Sequence, residues 1–121
     1  MQTSPECQIR IANWLRTKNL EVLEEVTLPP TLMRADLLIP KLNVVIEVHG
    51  AQHEVALFGE KNLLNQQRRD NVKNEYLQSH GLRLIEVKLG TIYPNKELLE
   101  TLGKKILDAL EREYPFQVVH I

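Results

Sequence analysis

Arg34-Ala35-Asp36-Leu37-Leu38-Ile39, then Pro40-Lys41-Leu42-Asn43, then Val44-Val45-Ile46-Glu47-Val48-His49: this stretch decides how the chain folds. Two runs rich in β-branched and aliphatic residues flank a four-residue segment with proline and asparagine, the pattern of two strands joined by a hairpin loop. A loop centred between Lys41 and Leu42 places Asp36 directly opposite Glu47. Two acids then share one face of a sheet, and His49, two residues beyond Glu47, points to that same face because strand side chains alternate.

Working outward, Ser4-Pro5-Glu6 is a helix start, with a serine cap, a proline at the first helical position and an acid in the first turn. Cys7, Ile11, Trp14, Leu15 and Lys18 follow at helical spacing, which predicts a first helix over residues 4–18 that Asn19 can close. Leu20 to Leu28 reads as a strand near a sheet edge, ended by Pro29-Pro30. Gly50 to Lys61 reads as a loop, and a second helix is predicted from Asn62 to His80, with Gly81 as its C-cap. Leu82 to Val87 is a fourth strand. Asn95 caps a third helix whose stripe is Leu98, Leu99, Leu102, Ile106, Ala109 and Leu110. The expected order is helix, three strands, helix, strand, helix, an α/β domain of mixed sheet flanked by helices.

The 121 residues suit a single domain over 1–121, and 43% hydrophobic with 26% charged residues is an ordinary globular balance. No apolar run is long enough to span a membrane and no signal peptide is visible, so a cytoplasmic protein without membrane contact is expected. Cys7 is the one cysteine, which argues against a disulfide and a structural zinc. A formal net charge of -1 means that any nucleic-acid binding must come from a local patch.

Like charges directly opposite on adjacent strands destabilise a sheet, so Asp36 beside Glu47 asks for an explanation. Mg²⁺ is one answer, since it is held through one or two carboxylates and keeps waters that can meet substrate phosphates. His49 beside the pair could bind phosphate, hold a nucleophilic water or share its proton, and His53 is a second candidate for the same tasks. Lys61, Arg68, Arg69 and Lys73 form either a phosphate-facing patch or a solvated helix face. Asp70 interrupts the apolar stripe of that helix, a local inconsistency of the kind functional sites produce. Glu6 alone is the acid that the helix dipole favours in a first turn.

These residues carry a family resemblance. Asp36 followed eleven positions later by Glu47-Val48-His49 resembles the motif of PD-(D/E)XK nucleases, with His49 where that superfamily usually has lysine. The chain is more similar to the very-short-patch-repair (Vsr-like) branch, which includes the EDxHD homing endonucleases. Ser4-Pro5-Glu6, Asp36, His49-Gly50-Ala51-Gln52-His53 and Gln67-Arg68-Arg69-Asp70 match its motifs in order, over residues 4–90. The resemblance implies an αβββαβ core followed by a C-terminal helix. It implies Asp36 as the principal metal ligand with the Val48 carbonyl beside it, Glu6 facing the same site, His49 and His53 acting on water or the scissile phosphate, and Asp70 as a fifth member.

The cysteine- and histidine-bound zinc of the repair enzymes has no counterpart, and Gly50-Ala51-Gln52-His53 lacks their intercalating aromatic residues. The resulting expectation is a single nuclease-like catalytic domain, a Mg²⁺-dependent DNA endonuclease with Mn²⁺ as a substitute, acting on DNA alone, as a homodimer or through a targeting partner. The rivals are a phage-type Holliday junction resolvase or recombination nuclease, and a nucleic-acid-binding module with a vestigial site.

Overall fold

The computed structural model describes residues 5–28, 34–49, 73–89 and 95–120. The chain is α/β: α1 (Pro5–Arg16), β1 (Leu23–Thr27), β2 (Arg34–Ile39), a 3₁₀ turn (Pro40–Leu42), β3 (Val44–His49), α2 (helical over 73–79), β4 (Arg83–Lys88), α3 (Lys96–Glu111) and β5 (Phe116–His120). The strands form one mixed sheet in the order β1-β2-β3-β4-β5. β1 pairs with β2 and β2 with β3 in antiparallel fashion, whereas β3, β4 and β5 are mutually parallel.

The hairpin has the register that its loop implies: Leu37 pairs with Ile46, Leu38 with Val45 and Ile39 with Val44. Asn43 makes the reversal possible by adopting the left-handed conformation (φ 55°), which asparagine tolerates better than most residues. β1 is an edge strand, as its interspersed glutamates suggest, and Asn95 caps α3 by accepting from the Leu98 N–H at 2.9 Å. Gly81 (φ +70°) closes α2: its N–H donates to Gln78 O and that of Leu82 to Leu77 O, the paired bonds of a Schellman cap.

One element differs from expectation. The chain does not end its regular structure with α3, because residues 116–120 add β5 beside β4. Phe116-Gln117-Val118-Val119-His120 does alternate, but only Val119 is buried, so the hydrophobic signal of this edge strand is weak.

Alternation sorts the sheet into two faces. Leu37, Ile39, Val44, Ile46, Val48, Ile85, Val87 and Val119 pack against Cys7, Ile11 and Leu15 of α1 and Leu102, Ile106 and Leu110 of α3, which forms the main core. The other face holds a smaller cluster in which Leu77 of α2 packs on Val45 and Leu84, with Tyr76 beside them. Among the described residues, no helix is long and apolar enough to cross a membrane.

Where α1 and α3 meet, Trp14 lies on Gly103. A Cβ added to Gly103 would come within 2.4 Å of the indole ring. Gly103→Ala should therefore destabilise the protein by about 1–2 kcal/mol, the overpacking cost outweighing the roughly 1 kcal/mol that alanine gains in a helix. Calorimetric melting of Gly103→Ala with and without Trp14→Leu checks this, the smaller ring-free side chain being expected to restore the lost stability.

Candidate active site

The backbone pairing of β2 with β3 ends at Leu37 and Ile46, and the next two residues are the acids. There, side chains continue the bonding. The Asp36 N–H donates to Glu47 Oε2 at 2.8 Å, and the Val48 N–H donates to Asp36 Oδ2 at 2.8 Å. Each carboxylate thus accepts a backbone proton from the opposite strand, which fixes both groups side by side. Asp36 is half-buried and Glu47 is buried.

The compensating cation in the structure is Lys73 of α2. Its ammonium pairs with Glu47 Oε1 and also donates to Arg34 O at 2.6 Å, with 16% of the side chain exposed. The helix reaches this position because Leu77 and Tyr76 dock on Val45 and Leu84 of the same sheet face. Burial pushes the Lys73 ammonium below its ordinary value, while the charges of Asp36 and Glu86 draw it back up. Lys73 is therefore not a solvated surface charge. It is part of the acid site.

Glu86 completes the charge cluster. Parallel pairing sets Glu47 beside Glu86 and His49 beside Lys88, all on the face opposite the main core. Glu86 escaped the sequence reading although a signal was there: Ile46-Glu47-Val48-His49 and Ile85-Glu86-Val87-Lys88 are near copies, each an acid and a base two residues apart. His49 is half-buried at the end of β3. Val48 lies on β3 with its side chain in the main core, so only its backbone can serve the acid face. Glu6 is in the first turn of α1. His53, Lys61, Arg68, Arg69 and Asp70 lie outside the described residues.

Asp36 and Glu47 supply hard oxygen donors on one face, the donor chemistry that Mg²⁺ takes. Among the described residues no group of three or more His, Cys, Asp or Glu forms a metal cage. Two carboxylates still fit Mg²⁺, which usually retains several waters. Comparison with known proteins finds no family, curated protein or solved structure that matches this chain.

Proposed function

We propose that the chain is a divalent-metal-dependent DNA endonuclease and that α1, β1–β4 and α2 form a PD-(D/E)XK-like core. The observation that carries this reading is the Asp36–Glu47 pair, locked by two crossed hydrogen bonds and faced by a half-buried lysine. Removing charges from water is costly, and replacing a buried ion pair with apolar residues is often neutral or stabilising, so packing alone does not call for these groups. A half-buried lysine whose ammonium is disfavoured by burial and held against two carboxylates on one face is instead the kind of arrangement that marks a site.

The order helix, three antiparallel strands, helix, parallel strand also agrees with the resemblance of the motifs. Asp36 and Glu47 are the residues that would hold Mg²⁺, which when bound lowers the pKa of water and neutralises charge developing on a phosphate. The two backbone N–H donors hold the carboxylates in place, so little side-chain freedom is lost when a substrate binds. Lys73 limits the repulsion between the acids and carries positive charge beside the place where a phosphate would approach. His49, on the same face, is positioned to accept or return a proton.

Agarose analysis of supercoiled plasmid tests the proposal. Nicking in Mg²⁺ or Mn²⁺ that EDTA suppresses is expected. Intact plasmid under every metal condition would leave the second reading, a nucleic-acid-binding module with a vestigial site. One observation favours that alternative: Glu47 already has a cation, the Lys73 ammonium, held in direct contact.

A further inference from the structure

The face opposite the main core is banded. Its first row, Val45 and Leu84, is buried beneath α2; its second is the acid row of Glu47 and Glu86, flanked by Asp36. The third row is basic. His49 pairs with Lys88, and Lys88 pairs with His120, so each of the three parallel strands delivers a nitrogen-bearing side chain at its carboxyl end. Val87 and Val119 are buried in the main core, which turns Lys88 and His120 to the acid face, where both are exposed.

Positive charge continues past the sheet edge. Lys105 of α3 donates to His120 O at 2.8 Å, and Lys105 and Arg112 flank an open groove of about 220 Å³ along β5. Asp108 is the carboxylate of that groove, and Gln117 and His120 also line it. Among the described residues, Lys88 and Arg112 enter no ion pair.

We infer that Lys88, His120 and Lys105 form a phosphate-binding track on which a DNA backbone lies across the carboxyl ends of β3, β4 and β5. Strand spacing makes the row from His49 to His120 about 10 Å long. That length covers about three nucleotides at the axial rise of ~3.4 Å per nucleotide in one strand. The basic row is one two-residue step, about 6.6 Å, from the acid row. A backbone held on the track therefore passes one row from Glu47 and Glu86, with Asp36 on the far side of Glu47. The identification of the polyanion as DNA rests on the nuclease reading above. The track itself rests on strand register and exposure.

Filter binding of a labelled DNA duplex in EDTA, over a series of salt concentrations, tests the track apart from cleavage. Lys88→Gln and Lys105→Gln should each flatten the slope of log K against log salt by about 0.9, and the double variant by about 1.8. Lys41→Gln removes the same charge from the hairpin turn at the other end of β3 and should keep the wild-type slope. An unchanged slope in the double variant, an equal flattening by Lys41→Gln, or no salt-dependent binding by wild type overturns the track. Plasmid nicking is scored separately. Nicking with unchanged slopes removes the track and leaves the endonuclease, whereas flattened slopes without nicking keep the track and remove the endonuclease.

Discussion

On the proposed endonuclease reading, Asp36→Asn is expected to lower Mg²⁺-dependent plasmid nicking by ~10²–10³-fold, the range seen when a single preorganised electrostatic group is lost from an active site. Asparagine is the informative replacement. Asp36 Oδ2 accepts the Val48 N–H, and the side-chain carbonyl of asparagine can keep that bond while surrendering the negative charge. Alanine would leave the Val48 donor without this partner, at a cost of about 1–3 kcal/mol, and would confound loss of chemistry with loss of structure. Initial rates at saturating plasmid, beside melting curves of both proteins, are the measurement. Wild-type nicking by pure Asp36→Asn would remove Asp36 from the mechanism.

Lys73→Met should destabilise the protein by about 2–3 kcal/mol, because a carboxylate with 12% exposure is then left without its ammonium. Adding Glu47→Gln in the same chain should recover most of the loss, since the uncompensated charge disappears with its partner. Denaturant titration of the two single variants and the double checks both statements. If Asp36 and Glu47 hold a divalent cation, Mg²⁺ should raise the stability of Lys73→Met by an amount that grows with its concentration, as for any ligand that binds only the folded state. Indifference of Lys73→Met to Mg²⁺, with a full rescue by Glu47→Gln, would identify the cluster as a structural ion pair.

The hairpin was legible because its constraints are local. Pro40 and Asn43 define the reversal, and a turn of known length sets which residues face each other. The caps of α2 and α3 were legible for the same reason, since Gly81 and Asn95 act on backbone groups within a few positions of themselves. Lys73 was not. Its meeting with Glu47 depends on how α2 docks on the sheet, twenty-six positions along the chain, and a lysine in a charged stretch looks like solvent-exposed surface until the docking is known. Glu86 was hidden by the parallel crossover, whose register no turn specifies. β5 offered one buried side chain in five residues, too little hydrophobic contrast to read as a strand.

Gly103 has a consequence for experiment. The indole of Trp14, the one tryptophan in the chain, rests on the backbone of α3 at that position, on the face of the sheet away from Asp36, Glu47 and Lys73. Its fluorescence therefore reports the docking of α1 on α3, whereas Tyr76, stacked on His80 at 4.1 Å, belongs to the helix that carries Lys73. In a chain carrying Tyr93→Phe and Tyr114→Phe, which leaves Tyr76 as its one tyrosine, selective excitation of the tryptophan set against tyrosine absorbance gives two optical signals for the two faces of one sheet. Loosening of α2 around the acid cluster would register in the tyrosine signal while the tryptophan emission stays native.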